Sequence, residues 1–246
     1  MPIENVKNKT LVIVGPTGSG KTDVGIELAL ELNGEIISAD SRAIYREMDI
    51  GTAKPTVEEM RGVRHFGIDL VGPGERFSVA DFKKYCVEAI DDIRNRGKMP
   101  IIVGGTGLYV DAVIYDYQFD DVVKKTCSDR AEMSSEFLIV GIKWQKEELR
   151  ARLNDRADKI FTQEIEEETR RVVQNYGRDD RAMTANIYPI VMKMMEGAIS
   201  EDEAKRLSIL DDWHLARRQM TWFVRNKEII WLRLDEIREY VYNLYR

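Results

Sequence analysis

One stretch, Thr10–Thr22 (TLVIVGPTGSGKT), restricts the possible folds of this chain more than any other. Leu11–Val14 is an apolar run rich in β-branched residues and predicts a buried strand. Gly15, Pro16, Thr17, Gly18, Ser19, Gly20, Lys21 and Thr22 follow, matching G-x-x-x-x-G-K-[ST] at every fixed position. Asp23–Leu32 then predicts a helix. Strand, glycine loop and helix in that order make a P-loop. Its backbone N–H groups cradle an anion, and the helix N-terminus adds partial positive charge. Lys21 can reach an outer phosphate, and the Thr22 hydroxyl can ligate Mg²⁺. The loop predicts a phosphorylated ligand without saying which.

Strands and helices alternate through the first half. Glu35–Ser38, His65–Val71, Pro100–Val103 and Phe137–Ile142 are predicted strands; Val57–Met60 is a predicted helix, and Ser78 opens another with a capping-box pattern closed by Asp81. From Lys146 the pattern turns helical, with one long charged run over Glu147–Tyr176, a short helix over Ala185–Glu196, and a helix from a second capping box at Ser200 to about Arg225. Glu228–Leu234 predicts a strand, and the tail from Asp235 a helix. Tyr115–Glu136 is polar and poorly patterned, a loop or short hairpin. The expected fold is α/β: a parallel sheet of P-loop NTPase type with helices on both faces, plus a C-terminal helical layer. Residues 1–246 are expected to form a single domain, 1–145 carrying the sheet and 146–246 a mainly helical part packed on it.

Bulk properties narrow the function. A net charge of −6 argues against broad, non-specific nucleic-acid binding, though a local basic face is compatible with it. Cys86 and Cys127 lie far apart without metal-like spacing, which predicts reduced thiols and a cytoplasmic setting. His65 and His214 are the only histidines, too few for a histidine zinc site, and both read as structural. No apolar run approaches the ~20 residues of a membrane span, and MPIENVKNKT lacks the apolar stretch of a signal peptide. A monomer is expected.

In an open α/β sheet, ligands sit beyond the carboxyl ends of the strands. Three such ends carry reactive groups: the P-loop, Asp40-Ser41-Arg42, and Gly104-Gly105-Thr106-Gly107. Asp40 can serve as a general base or as a turn residue, and the Thr106 hydroxyl can meet a substrate oxygen or simply close a turn. Arg152 and Arg156 share a helix face, which pattern alone assigns to solvent rather than to a phosphate clamp. Arg217–Phe223 sets basic beside aromatic groups, suited to stacking and phosphate contact, although aromatics at helical spacing usually enter a core. No strand ends in the acidic pair of an NTP-hydrolysing motor.

The motifs together resemble the tRNA dimethylallyltransferases and, more broadly, the adenine isopentenyltransferases. The matching stretches are Gly15–Thr22, Ile37–Tyr45 (ISADSRAIY), Met48–Pro55 (MDIGTAKP), Phe77–Phe82 (FSVADF) and Pro100–Tyr109 (PIIVGGTGLY). Leu149–Asp158, Arg218–Phe223 and Ile229–Leu232 match more weakly. The resemblance implies transfer of a dimethylallyl group from its diphosphate to the exocyclic amine of an adenine, with Mg²⁺. It implies that the P-loop holds the diphosphate and that Lys21, Thr22, Arg156 and Thr106 stabilise its departure. It implies that Asp40 takes the amine proton and that Ser41, Arg42 and Tyr45 continue the adenine side. The tRNA-modifying members carry a large helical insertion after the GGTGLY strand; here only Asp111–Glu136 intervenes. A tRNA anticodon stem-loop is the expected acceptor, a free adenine nucleotide the alternative, and an ATP-using small-molecule kinase a third reading.

Overall fold

The computed structural model describes residues 8–119, 132–183 and 187–246. Six parallel strands form one sheet: β1 (Thr10–Val14), β2 (Gly34–Ser38), β3 (His65–Phe66), β4 (Met99–Gly104), β5 (Phe137–Ile142) and β6 (Ile230–Leu232), in the spatial order β3-β2-β4-β1-β5-β6. The helices are α1 (Lys21–Glu31), α2 (Val57–Met60), α3 (Val79–Asn95), α4 (Gly107–Ile114), α5 (Lys146–Ile160), α6 (Gln163–Tyr176), α7 (Tyr188–Met195), α8 (Glu201–Phe223) and α9 (Leu234–Tyr245). No helix among the described residues is long and apolar enough to cross a membrane.

Every residue of β1 is buried, as a central parallel strand covered on both faces requires. Val12 and Val14 face one apolar cluster with Phe82, Cys86, Ile93 and Tyr109, whereas Leu11 and Ile13 face the other with Val24, Leu28, Ile237 and Val241. A third cluster joins Ile44, Tyr45 and Met48 to Ile165, Val172, Tyr188 and Val191, seating the helical second half on the loops beyond β2. The register aligns three strand ends: Val14 lies beside Gly104, and Ser38 beside Val103. Because β4 lies between β2 and β1, the Gly104–Gly107 turn opens between the segment after β2 and the P-loop.

Several local expectations change. The predicted strand over His65–Val71 stops at Phe66, because Gly67 and Asp69 take positive φ and turn the chain away; Val71 rejoins only as a bridge to Tyr45. The long run over Glu147–Tyr176 is two helices. Phe161 leaves helical geometry and enters the core, and Thr162 is extended, so α6 starts as a separate helix. Ser78 and Asp81 close their capping box, whereas Ser200 only accepts from the Glu203 N–H, and the Glu203 carboxylate pairs with Arg206 instead. α4 is absent from the sequence reading, since its GLYVDAVI is apolar almost all round and carries no amphipathic period. The polar stretch after it is anchored where it is described: the Ser134 N–H donates to the Ile114 carbonyl, and Lys83 pairs with Asp116. The expected loop or hairpin over 120–131, the start of the helix expected from Ala185, and Cys127 lie outside the described residues; Cys86 is a buried free thiol.

Candidate active site

The P-loop is shaped by what its carbonyls bind. The Lys21 ammonium and the Ser19 N–H both donate to the Pro16 carbonyl, Arg152 Nε donates to Gly18 O at 2.7 Å, and Trp144 Nε1 donates to Ser19 O at 3.0 Å. The N–H groups of Gly18, Gly20, Lys21 and Thr22 have no acceptor among the described residues. Gly18 and Gly20 hold φ of +73° and +80°, a backbone that strains other residues. Acceptors are thus occupied and donors left open at the N-terminus of α1, the condition for an anion site. The buried Ser19 hydroxyl also lacks a partner among the described residues.

Two cations and two carboxylates converge there. Arg156 Nε donates to Asp212 Oδ2 at 3.1 Å, and both lie close enough to Lys21 to act on its charge, as does Asp40. Burial pushes the Lys21 ammonium down to about 8; Arg156 adds to the shift, while Asp40 and Asp212 oppose it. Burial raises the Asp212 carboxyl against the pull of Arg156. The face assigned to solvent by pattern is therefore turned inward, Arg152 to the P-loop and Arg156 to Asp212 on α8 near Lys21.

Next door, the turns after β2 and β4 touch. A Cβ on Gly104 would lie 2.2 Å from the Ala39 carbonyl oxygen, so only glycine admits the approach. The Thr106 N–H donates to that carbonyl, and its hydroxyl accepts from the Ser41 N–H at 3.0 Å and donates to Ser41 Oγ at 3.3 Å. Thr106 is the N-cap of α4, but its side chain makes no capping bond. Asp40 Oδ1 accepts from the Arg42 N–H at 2.8 Å, the turn-residue geometry, while Oδ2 has no protein partner among the described residues. Tyr45 is buried and belongs to the wall of this segment. Tyr109 stacks on Phe82 at 4.1 Å, joining the GGTGLY and FSVADF stretches; its hydroxyl is pushed up to about 12, chiefly by burial.

Helix α8 binds the parts together, and sequence reading missed the contacts of three of its side chains. Gln219 Oε1 accepts from the Thr17 N–H at 2.8 Å while its Nε2 donates to Gly105 O at 3.0 Å, tying the P-loop to the Thr106 turn. Asp212 holds Arg156, and Trp222 Nε1 donates to Asp111 Oδ2 at 2.9 Å. Arg217, Arg218 and Arg225 stand exposed on the same helix end, around a groove of about 550 Å³ that includes Trp222. His214 is exposed there too, and His65 Nδ1 lies 2.9 Å from the Val63 carbonyl.

The chain that carries this site has relatives among known proteins. The model of the family described as IPP transferase matches residues 43–136 and 121–227. This chain belongs to that family. A tRNA dimethylallyltransferase of Acetivibrio thermocellus is 34% identical over 290 residues, covering 93% of each chain. One from Bacillus cytotoxicus is 34% identical over 287 residues, covering 93% of this chain and 91% of its own. The tRNA isopentenylpyrophosphate transferase of Bacillus halodurans superposes with a TM-score of 0.83 at 31% identity, over 96% of this chain and 95% of that one. A eukaryotic dimethylallyltransferase acting on tRNA, 20% identical with a TM-score of 0.78, shares the fold. An alignment of 290 positions exceeds the 246 residues present here, so IPP transferase relatives carry chain without a counterpart. The two family-model matches meet at 121–136, within the short Asp111–Glu136 stretch noted in the sequence.

Proposed function

We propose that this IPP transferase moves a dimethylallyl group from dimethylallyl diphosphate to the exocyclic amine of an adenosine beside the anticodon of tRNA. The observation that carries this reading is a junction. The Thr106 turn is bonded on one side to Ser41, next to Asp40, and on the other through Gln219 to the P-loop. A leaving diphosphate in the loop and an attacking amine at Asp40 would then meet across one hydroxyl.

In the reaction the carbon–oxygen bond of the allyl diphosphate breaks, and its electron pair leaves with the diphosphate. The amine nitrogen forms the new bond to that carbon, and the amine proton passes to Asp40. Departure builds negative charge, which the open loop N–H groups, Lys21 and Arg156 stabilise best if they are already in place. The Thr106 hydroxyl would turn its donor from Ser41 Oγ to hydrogen-bond the bridging oxygen. An amine grows acidic as it attacks, so the placement of Asp40 matters more than its basicity. Ser41, Arg42 and Tyr45 line the adenine side.

Among the described residues no three His, Cys, Asp or Glu side chains gather to hold a metal. Mg²⁺ needs no such cage, because it keeps waters and takes phosphate oxygens with one or two protein oxygens. The Thr22 hydroxyl, partly exposed beside the open N–H groups, fits that donor set. When bound, the ion would share the charge of the departing diphosphate.

The exposed Arg217 and Arg218, next to the partly buried Trp222, offer a cationic strip for a phosphate backbone on an otherwise acidic protein. The deciding assay supplies labelled dimethylallyl diphosphate and Mg²⁺ with unmodified tRNA in one tube and AMP, ADP and ATP in another. Label on tRNA is expected. Label only on nucleotides would transfer the reading to free-nucleotide prenylation, and label on neither would overturn it.

A further inference from the structure

The Met48–Pro55 stretch contributes nothing to the site described above, yet it is among the most tightly bonded loops of the molecule. Its organiser is Glu168, on α6 in the helical second half, only 2% exposed. Glu168 Oε2 accepts from the N–H groups of Asp49 at 2.8 Å and Ile50 at 2.9 Å. Oε1 accepts from the Gly51 N–H at 2.9 Å and from the Tyr188 hydroxyl at 2.7 Å. Three successive backbone donors thus point at one buried carboxylate. A Cβ on Gly51 would lie 2.4 Å from the Tyr188 ring, so only glycine admits this close approach of the loop to α7.

The loop passes this constraint on. Lys54, with a side chain 4% exposed, donates to Asp49 Oδ1 at 2.7 Å, Asp69 Oδ1 at 2.6 Å and the Tyr45 carbonyl at 2.5 Å. The Tyr45 N–H donates to Arg42 O, and the Arg42 N–H to Asp40 Oδ1. A continuous chain of bonds therefore runs from Glu168 to the proposed base, and it stays on the Asp40 side of Thr106.

We propose that Glu168 is a positioning residue for the acceptor side alone: it holds residues 40–54 in register for the adenine and leaves the diphosphate cradle untouched. The proposal rests on the functional reading above. In Glu168→Gln the amide oxygen can still serve Asp49 and Ile50, but its NH₂ faces the Gly51 N–H, donor against donor. Losing that bond is expected to lower kcat/KM for tRNA roughly tenfold, while the calorimetric Kd for dimethylallyl diphosphate stays within about twofold. Tyr188→Phe, which keeps the ring and removes one donor, is expected to give a loss of about threefold on the acceptor side only.

Amide hydrogen exchange supplies a readout independent of the acceptor. In Glu168→Gln, exchange at Ser41–Tyr45 and Asp49–Gly51 should quicken while Gly15–Thr22 keeps its wild-type rates. If exchange at Ser41–Tyr45 is unchanged, or if donor Kd worsens in step with acceptor kcat/KM in both variants, the inference is wrong. A wild-type protein that labels neither tRNA nor nucleotide would instead reject the functional reading, whatever the exchange result.

Discussion

Lys21 should make diphosphate binding a proton-uptake reaction. Burial holds the free ammonium at about 8, so it is largely charged at pH 7 and largely neutral at pH 8.5. A bound diphosphate restores the charged form. Uptake should then rise from about 0.1 proton at pH 7 to about 0.8 at pH 8.5, and affinity should fall roughly tenfold between pH 7 and pH 9. A terminal phosphate loses its last proton near about pH 6, so the ligand contributes little over this range. Calorimetry of dimethylallyl diphosphate binding in buffers of different ionisation enthalpy measures the uptake directly. Asp212→Asn removes one of the carboxylates opposing the shift and should move the midpoint lower. Lys21→Met should abolish the pH dependence of the uptake. Equal uptake at pH 7 and pH 8.5, or a rise that persists in Lys21→Met, would refute the reasoning. The same shift has a stability consequence. Between about pH 8 and pH 10.5 the unfolded chain binds the extra proton, so Lys21 makes the ligand-free protein more stable as pH rises through that window.

Asp40→Ala should lower turnover by roughly 10²–10⁴ while the donor still binds at pH 7; wild-type-like turnover would reject the base assignment. Gln219→Leu removes two partly buried hydrogen bonds at about 1 kcal/mol each, so the melting temperature should fall by about 4–8 °C and kcat/KM for the donor by up to roughly thirtyfold. An unchanged kcat/KM would show that the P-loop and the Thr106 turn hold their spacing without it. Glu35, its side chain 3% exposed, is held at about 2 by hydrogen bonds from Arg96 and by Lys98. Its contribution is complete above about pH 4.5 and lost as pH falls towards 2. After allowing for partly exposed partners, Glu35→Gln should cost about 1–3 kcal/mol at pH 7. That gap should close in melts near pH 2, and a gap constant with pH would refute the pairing.

Much of the fold was legible because its signals are local. An apolar run before GPTGSGKT, capping residues at Ser78, and the Phe137–Ile142 run each report a backbone preference that needs no distant partner. The break at Phe161–Thr162 was not legible, because charged residues fill both flanking helices and only the burial of Phe161 shows where the first one ends. Arg152 and Arg156 read as a solvated face for a similar reason. Helical spacing shows that two side chains share a face, not what stands opposite it.

The sequence by itself determined the elements proposed to carry the chemistry: a P-loop, a carboxylate after β2, and a hydroxyl between glycines after β4. Only the tertiary structure decided that they lie together. The strand order places β4 between β2 and β1, and the parallel register brings the three ends level. It also recruited Asp212, Gln219 and Glu168, whose partners lie 56, 202 and about 118 residues away along the chain. Hydrogen bonds of that kind have no sequence period, because they arise between surfaces that meet only after the core has packed.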